Sequence, residues 1–284
     1  MLSWQLAGFI AVALVATSWV AGWARPIREH KLRRGVPFVR ETGIVLALYA
    51  LWQLAGGLSL GHTGEAVGRG EWLWRLERAW WLPNEATMQA QILHHPLVVQ
   101  FCNIYYATMH FGVLIAMLLW LFVRHRNAYP RIRTLIVLTT GTCLLLGLVP
   151  VAPPRLVHVG MLDTAQAYGQ SVYAVTAHIG ADQYSAMPSV HVAWAALVAV
   201  AVISVSRSRL RWLILLHTAA TLYVVAVTAN HFWLDGVAAV LLLGLSAGIQ
   251  AVAGRLKGRR LSASDLRGLE DVADRDEESV DATA

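Results

Sequence analysis

Three short segments of the chain carry the groups that could act on a phosphate: Pro153-Pro154-Arg155, Pro188-Ser189-Val190-His191 and Asn230-His231-Phe232-Trp233-Leu234-Asp235. His231 and Asp235 stand four residues apart, a spacing that puts them one turn apart on a helix face. A neutral imidazole attacks phosphorus when its other nitrogen is held in one tautomer, and a carboxylate one turn on would hold it, so the expected product is a phosphohistidine. His191, protonated, would donate to the leaving oxygen and then, as a base, activate the acceptor. Pro188 and Ser189 open a helix whose free N–H groups suit an anion, and Ser189 adds a hydroxyl. Arg155 offers a guanidinium that binds phosphate oxygens in pairs. The same residues admit other readings: an arginine snorkelling to lipid phosphates, an interfacial histidine with Asp235 as its local partner, or His191, His231 and Asp235 as zinc ligands. An arginine and a helix terminus aimed at one place favour an anion over a metal, so no metal and no cofactor is expected.

The elements that must position these groups are apolar. Of 284 residues 57% are hydrophobic and only 14% charged, with 12 Trp, which excludes an ordinary soluble domain and fits an all-α protein crossing a membrane several times. Seven apolar runs are expected to span: roughly 2–24, 42–60, 97–123, 134–149, 190–205, 212–229 and 236–253. The first lacks a basic leading region and reads as a retained anchor. Between the second and third, the Trp-rich stretch from Glu71 to Trp81 is amphipathic and predicts a helix lying at the interface, followed by a short helix from Asn84 to His95 between Pro83 and Pro96. Cys102 and Cys143 both fall in apolar runs, so no disulfide framework is expected.

Four divisions follow. Residues 1–60 hold the first two spans and a basic loop, 61–96 the outer interfacial helices, 97–254 the core with the candidate site, and 255–284 a disordered, acidic cytoplasmic tail. Of the 23 basic residues only Arg69, Arg75, Arg78 and Arg155 lie outside the basic loops and the tail. By the positive-inside rule the carboxyl terminus is therefore cytoplasmic, and Arg155, His191, His231 and Asp235 come to the outer face of the cell membrane. The positive charge needs no nucleic acid to explain it. His110, about halfway along the third run, lines a substrate groove or bonds within the bundle, and Asn103 and Tyr106 read as polar contacts between helices or as part of that groove. His94, His95, His158 and His178 show no ligand-like spacing, and Asp163 and Asp182 read as solvated, with an acceptor headgroup as the alternative partner of either.

The order Arg155, Pro188-Ser189-Val190-His191, His231-x-x-x-Asp235 resembles the type 2 phosphatidic acid phosphatase superfamily of integral-membrane lipid phosphatases. Asn103-Ile104-Tyr105-Tyr106-Ala107-Thr108-Met109-His110 and the Pro-Pro before Arg155 are similar to the branch that includes the inositol phosphorylceramide synthases of fungi. The likeness spans roughly residues 70–253. It implies a six-helix core, a metal-independent double displacement, His231 as nucleophile and His191 as general acid. Three features depart from the superfamily pattern. The lysine of its first motif is missing, Val190 replaces the usual glycine, and Val224 and Val225 stand where Ser-Arg is usual. The expected function is a phosphatase acting on a membrane lipid phosphate at the outer leaflet. The alternatives are transfer of a phosphoryl headgroup such as inositol phosphate between lipids, or a non-catalytic membrane protein with a degenerate site.

Overall fold

The computed structural model describes residues 3–23, 30–58, 63–171 and 183–256. The acidic tail, His178, Asp182 and part of the first basic loop lie outside the described residues. Among those residues the chain is helical, without strands, and carries one isolated parallel bridge between Val151 and Ser185. The helices are α1 (Trp4–Trp23), α2 (His30–Leu58), α3 (Thr63–Ala79), α4 (Glu85–Leu93), α5 (Pro96–Arg124), α6 (Tyr129–Gly147), the single turn α7 (Thr164–Ala167), α8 (Val190–Val205), α9 (Ile214–Val227) and α10 (Trp233–Leu256). Residues Met1–Leu243 form one compact unit, which holds the whole candidate site; the remainder, Gly244–Ala284, is grouped separately.

Among the described residues three stretches are long and apolar enough to cross a membrane: Pro96–Arg124, Arg209–Val227 and Trp233–Leu256. Trp4–Val20 and Val190–Val205 are apolar but shorter. Composition explains where these helices start and stop. Pro96 takes the first position of α5, where its missing N–H costs nothing, and Arg124 ends it. On α5 Cys102, Tyr106, Leu114, Met117 and Leu121 are buried, whereas Phe101, Ile104, Ile115 and Leu119 are exposed. A helix with a large apolar face turned outward suits a hydrocarbon solvent, where every backbone group is satisfied within the helix.

Two buried clusters tie the bundle together. Leu114, Met117 and Leu121 of α5 meet Ile132, Leu135 and Ile136 of α6 and Trp194, Leu197 and Val198 of α8. Nearer the site, Ile92 of α4, Val99, Cys102 and Tyr106 of α5, Val192 of α8 and Val224, Val225 and Val227 of α9 pack as one group. The first two helices pack on each other, and α2 reaches α6 through Glu41, which accepts from Arg133 and from the Tyr129 hydroxyl.

The amphipathic stretch read from Glu71 to Trp81 belongs to a longer helix, α3. Ala66, Leu73 and Glu77 make its buried stripe, and Trp72 and Trp80 are exposed. Gly70 lies in that stripe. A Cβ there would sit 2.6 Å from the Ala152 carbonyl oxygen, so the helix rests on the 152–157 segment at a distance that only glycine permits. The short helix expected between Pro83 and Pro96 is α4, opened by Asn84, whose Oδ1 accepts from the N–H groups of Ala86 and Thr87.

Candidate active site

Main-chain hydrogen bonds bring the three segments together. Ala186 N–H donates to Val151 O (3.1 Å), Arg155 N–H to Ala229 O (3.0 Å) and Ser189 N–H to Asp235 O (3.1 Å). The turn that carries His231 is shaped by the end of α9. Ala229 N–H bonds back to Ala226 O and Asn230 N–H to Val225 O, a Schellman pattern with Ala229 in the left-handed region at φ +57°. Glycine is usual at such a position; here a fully buried alanine holds it.

His231 does not lie on a helix, contrary to the one-face reading of its spacing to Asp235. It sits in the turn before α10, which begins at Trp233. Asp235 is the third helical residue, and its Oδ2 reaches back to accept the Phe232 N–H at 2.8 Å, half of a capping box. That leaves Oδ2 3.4 Å from His231 Nδ1, while the Ala186 carbonyl oxygen lies at 2.8 Å from the same nitrogen. A carbonyl only accepts, so Nδ1 carries the proton and Nε2 the lone pair. Nε2 is buried and has no hydrogen-bond partner among the described residues.

The His191 ring centroid stands 5.5 Å from that of His231. His191 occupies the first turn of α8, which Ser189 caps by accepting the Val192 N–H at 3.3 Å, leaving its hydroxyl proton available. Two residues of α5 touch His191: Tyr106 stacks on it at 4.3 Å, and His110 meets it edge-on at 4.2 Å. His110 Nδ1–H donates to the Tyr106 carbonyl at 2.9 Å, which fixes its ring. Asn103, one turn before Tyr106, instead bonds Gln170 (2.9 Å) and Thr164 (2.8 Å) and ties the loop after Arg155 to α5.

Arg155 is nearly buried. Its Nη1 donates to Asn230 Oδ1 at 2.6 Å, and its Nε lies 3.4 Å from Asp163 Oδ2. Asp163, read from sequence as solvated, is thus an ion-pair partner, and its Oδ1 also caps α7 by accepting from Gln166 N–H.

Sequence reasoning missed several supports of the site. Asn230 stands beside His231, yet nothing in its type announced an arginine partner 75 positions away. Gln89 bridges Leu162 of the loop after Arg155 and the Val227 carbonyl at the end of α9. Glu77 and Glu85 are fully buried at the foot of α10. Glu77 Oε1 accepts the Leu234 N–H at 2.7 Å, one of the donors that a helix start leaves without an internal partner. Burial, and then the neighbouring Glu85 carboxyl, push the Glu77 carboxyl up to about 9. One signal was available: Glu85, Gln89 and Ile92 recur at the spacing of a single helix face, a buried face with two polar members.

A family model described as the PAP2 superfamily matches residues 71–249. The chain belongs to the PAP2 superfamily. That range takes in α3 from Glu71 onward, every candidate site residue, and most of α10. No curated protein and no solved structure matches the chain. Membership in the PAP2 superfamily supports an enzyme of phosphatase or phosphotransferase type in a lipid environment, and the apolar helices are those of a membrane protein.

Proposed function

We propose that the protein is a phosphatase of membrane lipid phosphates that works through a phosphohistidine on His231, without a metal. The observation that carries this reading is the state of the His231 ring: Nδ1–H is held by the Ala186 carbonyl, and the Nε2 lone pair is buried and without a hydrogen-bond partner among the described residues. Nε2 attacks, a P–N bond forms, and the P–O bond to the lipid alcohol breaks as His191 gives its proton to the departing oxygen. His191 then takes a proton from water, the water oxygen attacks phosphorus, and the P–N bond breaks to release inorganic phosphate. Arg155 and the N-terminal amides of α8 balance charge on the equatorial oxygens, and Asp235 steadies the ring as it becomes positive.

The seven-span arrangement is also our reading, with α2 and α6 joining the longer and shorter apolar helices, and so are the four divisions of the chain. The lysine and arginine distribution supports a cytoplasmic carboxyl terminus and a site at the outer leaflet.

One observation favours a second reading, transfer of a headgroup to an alcohol acceptor. Arg155 shares its guanidinium with Asn230 and with the Asp163 carboxylate, so its charge is partly met within the protein. Such a clamp suits the single charge of a phosphodiester better than a doubly charged monoester. The likeness of Asn103–His110 and of Pro153-Pro154-Arg155 to inositol phosphorylceramide synthases points the same way.

The test is phosphate release from a panel of lipid phosphates in detergent with EDTA, wild type against His231→Ala. Release by wild type alone is the expected result. Release by both proteins, or release that EDTA abolishes, overturns the proposed chemistry. If neither releases phosphate, transfer to an added alcohol acceptor separates the two readings.

A further inference from the structure

The mechanism above makes no use of the two carboxyls buried beneath the His231–Asp235 turn. Glu77 on α3 and Glu85 on α4 are each without exposed surface, and each lies within reach of the Arg78 guanidinium, at 3.8 Å and 2.9 Å respectively. One cation stands against two acids, and the Glu85 carboxyl lies within hydrogen-bond reach of Glu77. Glu77 Oε2 and Glu85 Oε1 find no donor among the described residues. Two facing carboxyl oxygens without a donor are satisfied together if one proton sits between them, as in other paired acids.

We propose that Glu77 is a positioning residue for the reactive turn, holding Leu234 and through it the start of α10 in the register that sets Asp235 and His231. The coupling is short. Glu77 Oε1 accepts the Leu234 N–H at 2.7 Å; Asp235, the next residue, accepts the Phe232 N–H at 2.8 Å and stands 3.4 Å from His231 Nδ1. Trp233, between these, donates its indole N–H to the Pro83 carbonyl at 2.9 Å, so α3 and the segment that follows it each hold the same turn of α10 once. The charged and titratable groups that face Glu77 are Glu85 from α4, Arg78 from its own helix and Asp235 from α10; His231 reaches it through Asp235.

With the shared proton in place the pair carries one negative charge against Arg78, and Glu77 remains a well-placed acceptor. Once the proton leaves, a second buried negative charge stands beside Asp235, and α3 and α10 are pushed apart at the turn. Activity and local order therefore fall together on the alkaline side, near the value of about 9 to which the Glu77 carboxyl is raised.

The activity arm of the test rests on the function proposed above; the exchange arm does not. Wild type, Glu77→Gln and Glu77→Ala are compared in detergent. The first readout is amide exchange of the peptide containing Leu234, each rate divided by that of the same peptide in denatured protein at the same pH. The second is the pH profile of kcat and KM for phosphate release from dioctanoyl phosphatidate. Glutamine keeps the acceptor and cannot ionise. Glu77→Gln is expected to keep the protection and to lose its alkaline decline, whereas Glu77→Ala loses protection at every pH. In the activity arm Glu77→Ala lowers kcat on the order of a hundredfold with KM little changed, and Glu77→Gln restores most of it. Unchanged protection in Glu77→Ala, or the wild-type alkaline decline in Glu77→Gln, would overturn the proposal. If neither wild type nor any variant hydrolyses dioctanoyl phosphatidate or any other member of the lipid phosphate panel while exchange behaves as expected, the proposed hydrolysis fails and the positioning role stands.

Discussion

The Ala186 carbonyl oxygen lies 2.8 Å from His231 Nδ1, closer than Asp235 Oδ2 at 3.4 Å. The tautomer of the ring is therefore set by backbone, and the aspartate is left to balance charge and to cap α10. Where a carboxylate alone orients a catalytic histidine, its replacement by the amide costs about 10⁴ in kcat. Here Asp235→Asn is expected to cost about 10- to 100-fold, measured as phosphate release beside His231→Ala, which should remove activity. A loss near 10⁴ in Asp235→Asn would return the tautomer to the aspartate.

Asn230 and Arg155 form a pair at 2.6 Å, so Asn230, the neighbour of His231 in the chain, braces the guanidinium. Removing that brace in Asn230→Ala is expected to raise KM about tenfold, because a hydrogen bond to a charged group contributes about 1.5–3 kcal/mol, with a smaller change in kcat. Asn230→Asp should bind substrate more weakly still, since a second carboxylate would then compete with phosphate for Arg155. Steady-state kinetics of both variants check the order.

Ala229 holds a left-handed conformation at φ +57° and is fully buried. Ala229→Gly removes the Cβ from that strained position at the expense of a freer unfolded chain, and the net gain expected is about 0.5–1 kcal/mol. Thermal melting in detergent should show a rise of a few degrees. A fall would mean that glycine loosens the turn more than it relieves it.

The contact between α3 and the segment bearing Arg155 runs through Gly70. In Gly70→Ala the new Cβ would meet the Ala152 carbonyl at 2.6 Å and the Val157 side chain at 2.8 Å, so helix and loop must separate. A loss of about 1–3 kcal/mol is expected. Activity should fall further than stability alone explains, because Arg155 lies inside the displaced segment.

Glu77 also makes stability depend on pH. Its carboxyl is raised from 4.5 to about 9 in the folded protein. Between those values the folded chain holds a proton that the unfolded chain has released, so this contribution is fully present below the unfolded value, is lost as pH rises and levels off above about 9. The melting midpoint of wild type should fall between pH 5 and pH 9 by about 5 °C or more relative to Glu77→Gln, in which this contribution is absent. Parallel curves for the two proteins would refute it.

The residues that gather at this candidate site were easier to read in the sequence than those that support them. Arg155, Ser189, His191, His231 and Asp235 stood out because polar residues interrupt apolar runs, and the structure brings all five into one place. Helix starts near Pro96 and Val190 followed from local preference, whereas Asn84, read as the first residue of its helix, is the cap before it. What escaped was whatever depends on distant chain. The Ala186 carbonyl has no side-chain signature at all. Glu77 and Glu85 sit in a helical region rich in charge, where a carboxylate reads as solvated, and only the packing of α3 and α4 beneath α10 removes them from water. The spacing of His231 and Asp235 suggested one helix face; the Schellman turn at Ala229 ends α9 first and places the histidine outside any helix.

The three reactive segments are joined to one another chiefly through peptide groups: Val151 to Ala186, Ala229 to Arg155, Asp235 to Ser189. Almost any residue type supplies such groups, so these three links do not themselves depend on side-chain identity. Change at the rim, in the 157–171 loop and along the exposed side of α5 can then alter what reaches the site, while the links that hold the three segments together stay as they are. A lineage built on this plan can acquire new substrates by changing its surroundings alone.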